Sequence, residues 1–144
     1  GSLFIPEARS IRKERWPMGR TVLAVFLTTV ISYSASFGVY GAFHAFAGLK
    51  APDDVSPARL LLSFLIVKVG LAIGFVLIFY SARHALNGQW LLYAATWWLM
   101  FAIVEVGQAI GPNYSWKEAL AGVISETIYF PASAFVTNWL LGVK

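Results

Sequence analysis

The sequence predicts an all-α membrane protein: four transmembrane helices in an antiparallel up-down bundle, with the N-terminus and the C-terminus cytoplasmic. Hydrophobic residues make up 58% of the 144 residues, charged residues make up only 12%, and the mean hydropathy is +0.68. A water-soluble domain averages about a quarter charged residues, and a domain of this size has too little interior to bury so much apolar surface. Four apolar segments, each near the roughly 20 residues that cross the hydrocarbon layer, point to the same class.

Short turn signals divide the chain into four predicted spans. Ser56-Pro57 supplies the N-cap and the first turn of the second helix, and Asn87-Gly88 marks a tight turn before the third helix. Gly111-Pro112-Asn113 breaks the chain before the last helix. The predicted transmembrane domain therefore occupies residues 18–144, with spans at about 20–47, 58–81, 89–110 and 116–141.

Basic residues set the expected orientation of the chain. Residues 1–17 form a basic juxtamembrane segment that opens with Gly1-Ser2, a dipeptide typical of tag removal. Lys and Arg are concentrated in this segment, beside the turn after the second span and at Lys144, so the positive-inside rule places these parts in the cytoplasm. The N-terminal cluster predicts contacts with anionic lipid headgroups, and not with nucleic acid, through Arg9, Arg12, Lys13, Arg15 and Arg20.

Three ionisable residues, Lys68, Glu105 and Glu126, lie well inside apolar runs. An unpaired charge facing lipid at the bilayer centre costs on the order of 3 kcal/mol or more, so each side chain is expected to face the bundle interior. At about 1.5 Å of rise per residue, Lys68 and Glu126 lie roughly level, about 14 to 15 Å below the outer boundary, and Glu105 lies about 8 Å below it. They predict one charged cluster with a surplus negative charge, which favours a shared proton or a bound cation.

Polar neighbours extend this predicted cluster. Tyr129 and Ser133 share a helix face with Glu126, and Gln108 shares a face with Glu105. The candidate residues for binding a substrate or an ion are therefore Lys68, Glu105, Glu126, Gln108, Tyr129 and Ser133. A structural alternative is an ion pair between Lys68 and Glu126 that only fixes the helix register.

Small and hydroxyl-bearing residues on the other helices have two interpretations. The first helix carries a polar stripe that either lines a cavity or packs against a neighbouring helix, namely Thr29, Ser32, Ser36 and Tyr40. Gly38, Gly70 and Gly74 favour helix packing, because small residues let transmembrane helices approach closely.

Several kinds of chemistry have no support in the sequence. The chain has no cysteine, which excludes disulfides, thiolate metal sites and thiol nucleophiles. No nucleophile elbow, phosphate-binding loop, HExxH motif or dinucleotide-binding glycine set occurs. His44 and His84 fall at opposite ends of different spans, so no paired ligands for a haem or a metal are predicted. We therefore expect no cofactor and no metal, and an enzyme is the less favoured interpretation.

The last helix carries a family resemblance. Residues 119–144, and within them FPASAFVTNWLL at residues 130–141, resemble the last helix of GtrA-like proteins, which are small four-span membrane proteins. Where the family's closing pattern has an Arg, this chain has Val143 and Lys144. The resemblance implies translocation of polyprenyl-phosphate-linked sugars, or support of the glycosyltransferase that uses them, in cell-surface polysaccharide synthesis. It also implies a bacterial or archaeal cytoplasmic membrane as the location.

The leading hypothesis is a small membrane translocase or transport component for a lipid-linked sugar or another amphipathic anion. Lys68 would engage the anionic group, while Glu105 and Glu126 would bind a proton, a cation or sugar hydroxyls. The expected partners are membrane lipid, a lipid-linked substrate, and a second copy of the chain or a membrane protein such as a glycosyltransferase. The alternative is a non-catalytic structural or accessory subunit of a larger complex, which predicts a contact surface containing Trp97 and Trp98.

Overall fold

A computed structural model describes residues 15–144, and this part of the chain contains four helices and no strand. The helices are α1 (Met18–Ala47), α2 (Pro57–Leu86), α3 (Trp90–Ile110) and α4 (Trp116–Leu141). All four are long and apolar enough to cross a membrane, which confirms the predicted all-α membrane class. The predicted lipid-headgroup residues Arg9, Arg12 and Lys13 lie outside the described residues.

The helix ends follow from local hydrogen bonding. Ser56 accepts a bond from the Arg59 backbone N–H at 3.3 Å, with Pro57 in the first helical turn, as the sequence predicts. Asn87 and Gly88 both have positive φ, 47° and 82°, and form the tight turn between α2 and α3. The prediction that α2 ends near residue 81 is wrong, because the helix continues through Arg83 and His84 to Leu86.

The α4 helix is the central element of the bundle. Eleven of its residues are buried, compared with four in α1, five in α2 and three in α3. Its main neighbours are α1 and α3, whereas α2 packs mostly against α1. The buried face of α4 has small residues that allow this close approach, including Ala119, Ala121, Gly122, Ser125 and Ala134.

An aromatic cluster joins α2, α3 and α4 in the middle of the bundle. The Phe130 ring centroid lies 5.9 Å from that of Phe75, 6.0 Å from that of Trp97 and 5.1 Å from that of Phe101. Tyr93 packs on Phe75 at 4.8 Å and donates its hydroxyl hydrogen to the Phe75 carbonyl. These rings give α2, α3 and α4 a common apolar contact.

Trp97 and Trp98, the residues of the contact surface expected for an accessory subunit, both contact α4 of their own bundle. The Trp97 ring is stacked on Phe130, and the Trp98 indole N–H donates to the Thr127 hydroxyl at 2.9 Å. Both side chains are only partly exposed. The sequence could not distinguish the two faces, because the residues around them are almost all apolar or small.

The expected packing role of Gly38, Gly70 and Gly74 is not found within one chain. Apart from the glycine, its chain neighbours and its own helix backbone, no atom lies within 4 Å of the position that a Cβ would take at any of them. By contrast, a Cβ at Gly122 would overlap the carboxyl group of Glu105. Among the glycines inside the helices, the close approach to another helix is therefore at Gly122 of α4.

Candidate binding cavity

All four helices contribute to a polar cavity of about 110 Å³. A volume of this size holds roughly three water molecules, each of which takes about 30 Å³ in the liquid, or one small polar group. The cavity is lined by Ser36 and Tyr40 of α1, Lys68 of α2, Phe101 and Glu105 of α3, and Gly122, Ser125, Glu126 and Tyr129 of α4. The predicted cluster of one Lys and two Glu thus lies around one cavity.

Lys68 enters the cavity without a direct ion pair. Its ammonium lies over the Tyr129 ring, 4.3 Å from the centroid, in a cation-π contact. Glu126 and Glu105 act on it electrostatically, yet neither carboxylate makes a direct ion pair with it among the described residues. The register-fixing ion pair between Lys68 and Glu126 is therefore absent from this arrangement, and the ammonium donors face the cavity.

The part of α2 that precedes Lys68 stands apart from the other helices. Residues 61–67 are all exposed, and Lys68 is the first partly covered side chain after them. In this half α2 is tied to α1, where the Tyr33 hydroxyl donates to the Leu61 carbonyl at 3.4 Å. This exposed stretch of α2 leaves the Lys68 side of the cavity uncovered by the other helices.

Glu126 is the most deeply buried acidic residue of the cavity. Its side chain is 3% exposed, and its Oε2 atom has no hydrogen-bond partner. The Glu105 carboxyl lines the same cavity and interacts electrostatically with Glu126, so the two acids can share one proton. A buried carboxyl oxygen without a partner is costly, and it marks a place where a proton, a water or a ligand atom would be bound.

Glu105 accepts a hydrogen bond from Tyr114, and Tyr114 in turn lies next to Tyr40. The Tyr114 hydroxyl donates to Glu105 Oε2 at 2.6 Å, and the Tyr40 hydroxyl lies 3.5 Å from that of Tyr114. Burial, together with the bond to Glu105, raises the pKa of Tyr114 above its ordinary value. The phenol therefore stays protonated and acts as a hydrogen-bond donor to the carboxylate.

Gly122 makes room for the Glu105 carboxyl. A Cβ at position 122 would lie 2.2 Å from Oε1, 2.5 Å from Cδ and 2.8 Å from Oε2 of Glu105. These distances are far below van der Waals contact, so only glycine lets the Glu105 carboxyl lie against the α4 backbone. Gly122 thus places the Glu105 carboxyl one helical turn from Glu126, on the same side of α4.

The structure separates the predicted site residues into two groups. Lys68, Glu105, Glu126 and Tyr129 line the cavity, together with Ser36 and Tyr40 of the predicted α1 stripe. Gln108 is exposed, because three residues after Glu105 it is rotated by about 60° around the helix. Ser133 is buried but lies about 10 Å along α4 from Glu126, and its hydroxyl has no hydrogen-bond partner.

Two residues of the site were not predicted from the sequence: Tyr114, which bonds to Glu105 from outside the cavity lining, and Gly122, which lines the cavity. Tyr114 belongs to an irregular loop, and Gly122 is one of 12 glycines, so neither carries a periodic signal. Arg15 and Arg20, the described members of the N-terminal basic cluster, lie away from this cavity, at the end of the bundle where α1 begins. Within residues 15–144, no group of three His, Asp or Glu side chains could hold a metal ion.

Comparisons with protein-family models, curated proteins and solved structures find no match to this chain. The resemblance of residues 119–144 to GtrA-like proteins stays a prediction, carried by the residues quoted above.

Proposed function

We propose that this chain is a small membrane translocase or transport component for an amphipathic anion, such as a polyprenyl-phosphate-linked sugar. The single observation that carries the proposal is the cavity in which an ammonium without a direct ion pair faces two neighbouring carboxyls. Burying an ionisable side chain within a membrane costs free energy. Such residues therefore mark substrate and proton pathways. The GtrA-like resemblance of the last helix points to the same substrate class.

In this mechanism the anionic group of the substrate approaches Lys68 through the exposed side of α2. Tyr129 supports the ammonium through its ring while the ammonium donors bind the anion. Glu105 and Glu126 carry one proton between them, or bind a cation or sugar hydroxyls, so that their charge does not repel the substrate. The cavity of about 110 Å³ admits the phosphate group alone, and the hydrophobic tail stays in lipid.

We further propose an antiparallel up-down bundle with both termini cytoplasmic. The start of α1 and the ends of α2 and α4 lie around one cavity, which we call the basic end because Arg15, Arg20, Arg83 and Lys144 line it. At the other end, the Lys117 ammonium of α4 donates to the Ala47 carbonyl of α1 at 2.8 Å. The positive-inside rule favours the basic end as the cytoplasmic one.

Lys68→Met is expected to slow transport strongly in a folded protein. Hydrogen bonds to charged groups contribute about 1.5–3 kcal/mol, so the loss of the ammonium should lower the rate by at least roughly tenfold. The assay uses vesicles that contain the purified chain with a fluorescent phosphatidylglycerol or a fluorescent polyprenyl phosphate, and follows exchange between leaflets by quenching of the outer leaflet.

Lys50→Met is the matched control, because Lys50 lies in the exposed loop between α1 and α2. It removes the same charge and should leave the exchange rate unchanged. Exchange at the unaltered rate in Lys68→Met would contradict the proposed role of the ammonium. A chain that exchanges neither probe would contradict the translocase proposal itself.

The orientation is tested with single cysteines, since the chain has none of its own. Asp53→Cys lies in the α1–α2 loop and Gln89→Cys in the α2–α3 turn, both exposed. A membrane-impermeant maleimide added to intact cells should label Asp53→Cys and leave Gln89→Cys unlabelled until the cells are opened. The reverse pattern would place the basic end outside and overturn the orientation.

A further inference from the structure

The basic end contains a second, larger cavity that plays no part in the proposed transport step. It has a volume of about 420 Å³, within the range of pockets that bind small molecules. Its basic lining residues come from four parts of the chain: Arg15, Arg20 of α1, Arg83 and His84 of α2, and Lys144. None of the described lining residues is acidic. Four permanent cations around one cavity of this size produce a strong local positive potential.

Arg83 is held in a fixed position by its own helix. Its guanidinium lies over the Tyr80 ring, 3.8 Å from the centroid, and Nη1 donates to the Tyr80 carbonyl at 2.7 Å. Trp16 packs on Tyr80 with ring centroids 4.2 Å apart, which fixes that ring in turn. A guanidinium that is already positioned loses little conformational entropy when it binds a planar or tetrahedral oxyanion.

The start of α1 adds to the positive potential. Pro17 at the N-cap and Arg20 in the first turn both line the cavity. A proline has no polar side chain with which to cap a helix, and the first turn of α1 contains no acidic residue. The partial positive charge at the beginning of α1 is therefore not offset by its own first turn, and it favours an anion nearby.

We propose that the cavity at the basic end is a binding site for a phosphate group. Arginine side chains match the geometry of phosphate oxygens, and basic pockets between membrane helices hold lipid phosphates on the cytoplasmic side. The phosphate belongs either to an anionic phospholipid headgroup or to a free organic phosphate of similar size. This inference goes beyond the transport proposal, since it depends on neither Lys68 nor the two glutamates.

The test uses the full chain in micelles, where membrane orientation has no influence and the positive-inside role of these residues is removed. The probes are water-soluble dihexanoyl-phosphatidylglycerol, dihexanoyl-phosphatidylcholine and glycerol 3-phosphate, titrated against the labelled protein. We expect saturable binding of phosphatidylglycerol and weaker or no binding of phosphatidylcholine, whose headgroup carries its own cation. Binding of phosphatidylglycerol alone identifies a lipid site, whereas binding of glycerol 3-phosphate as well identifies a site for the phosphate itself.

Two arginine variants decide whether this cavity is the site. Arg20→Gln and Arg83→Gln should each weaken binding by roughly tenfold or more, because each removes a charge-assisted hydrogen bond. Arg83→Lys keeps the charge and the contact with Tyr80, so it should bind with intermediate affinity. It tests the same position if Arg83→Gln folds poorly. Arg59→Gln removes an exposed charge near the start of α2 and should bind as the unaltered chain does. Equal affinity for both lipids, or unaltered affinity in a folded Arg20→Gln, would overturn the proposal.

Discussion

Replacing Gly122 with alanine is expected to disable the cavity while the bundle stays folded. The added Cβ would overlap the Glu105 carboxyl, whose atoms lie 2.2 to 2.8 Å from the Cβ position. Because that carboxyl is the end of a flexible side chain, it can move away at little cost to stability. The movement breaks the bond from Tyr114 and separates Glu105 from Glu126, so the shared proton and the exchange activity should both be lost.

The displacement of Glu105 has a readout that does not depend on transport. Burial and the bond to Glu105 both raise the pKa of Tyr114, so losing that bond should shift the pKa downward, toward the ordinary value of a tyrosine. Titration of a chain with ¹³C-labelled tyrosine rings measures this shift, and Tyr114→Phe identifies the signal. An unchanged pKa together with full exchange activity would show that Gly122 does not position Glu105.

Gly38→Ala is the matched control for this experiment. It makes the same change in a transmembrane helix, where, apart from its chain neighbours and its own helix backbone, no atom lies within 4 Å of the new Cβ. An alanine inside a helix is favoured over glycine by about 0.5–1 kcal/mol, so this variant should be unaltered or slightly more stable. It should also leave the Tyr114 titration unchanged.

The helices could be predicted from the sequence because lipid imposes a simple rule on length and polarity. The ends of α1, α3 and α4 agree with the predicted spans within about two residues, the usual precision of a helix boundary. The predicted end of α2 is wrong because the apolar stretch stops before Arg83 and His84, whereas the helix continues through them. Basic side chains are favourable in the last turn of a helix, and their long stems allow the charged group to reach water.

The charged residues of the cavity could also be predicted, for a related reason. Lys68, Glu105 and Glu126 stand out against apolar surroundings, and the helical rise alone gives their depth. What the sequence could not give is the local geometry around them. Tyr114 reaches Glu105 from a loop without any repeating pattern, and Gly122 matters only because of where the Glu105 side chain points.

Replacing Phe130 with alanine is expected to cause the largest loss of stability of any single truncation in the bundle. Its side chain is 1% exposed and meets rings from α2 and α3 as well as Tyr129 of its own helix. Truncation in a water-soluble core costs roughly 3–5 kcal/mol, which includes both transfer from water and the cavity left behind. In lipid the transfer part is small because acyl chains are also apolar, so we expect about 2–3 kcal/mol from lost packing.

The free energy of unfolding is measured by titrating mixed micelles with sodium dodecyl sulfate and following helicity. Phe26→Ala is the matched control: Phe26 lies on α1 with its side chain 61% exposed, so its removal should change the free energy by less than about 0.5 kcal/mol. Because α2 has few other contacts with α3 and α4, the Phe130 variant should also loosen α2 and with it Lys68. Equal free energies of unfolding for Phe130→Ala and the unaltered chain would mean that α2 is held by α1 alone. The position of Lys68 in the cavity would then be independent of the aromatic cluster.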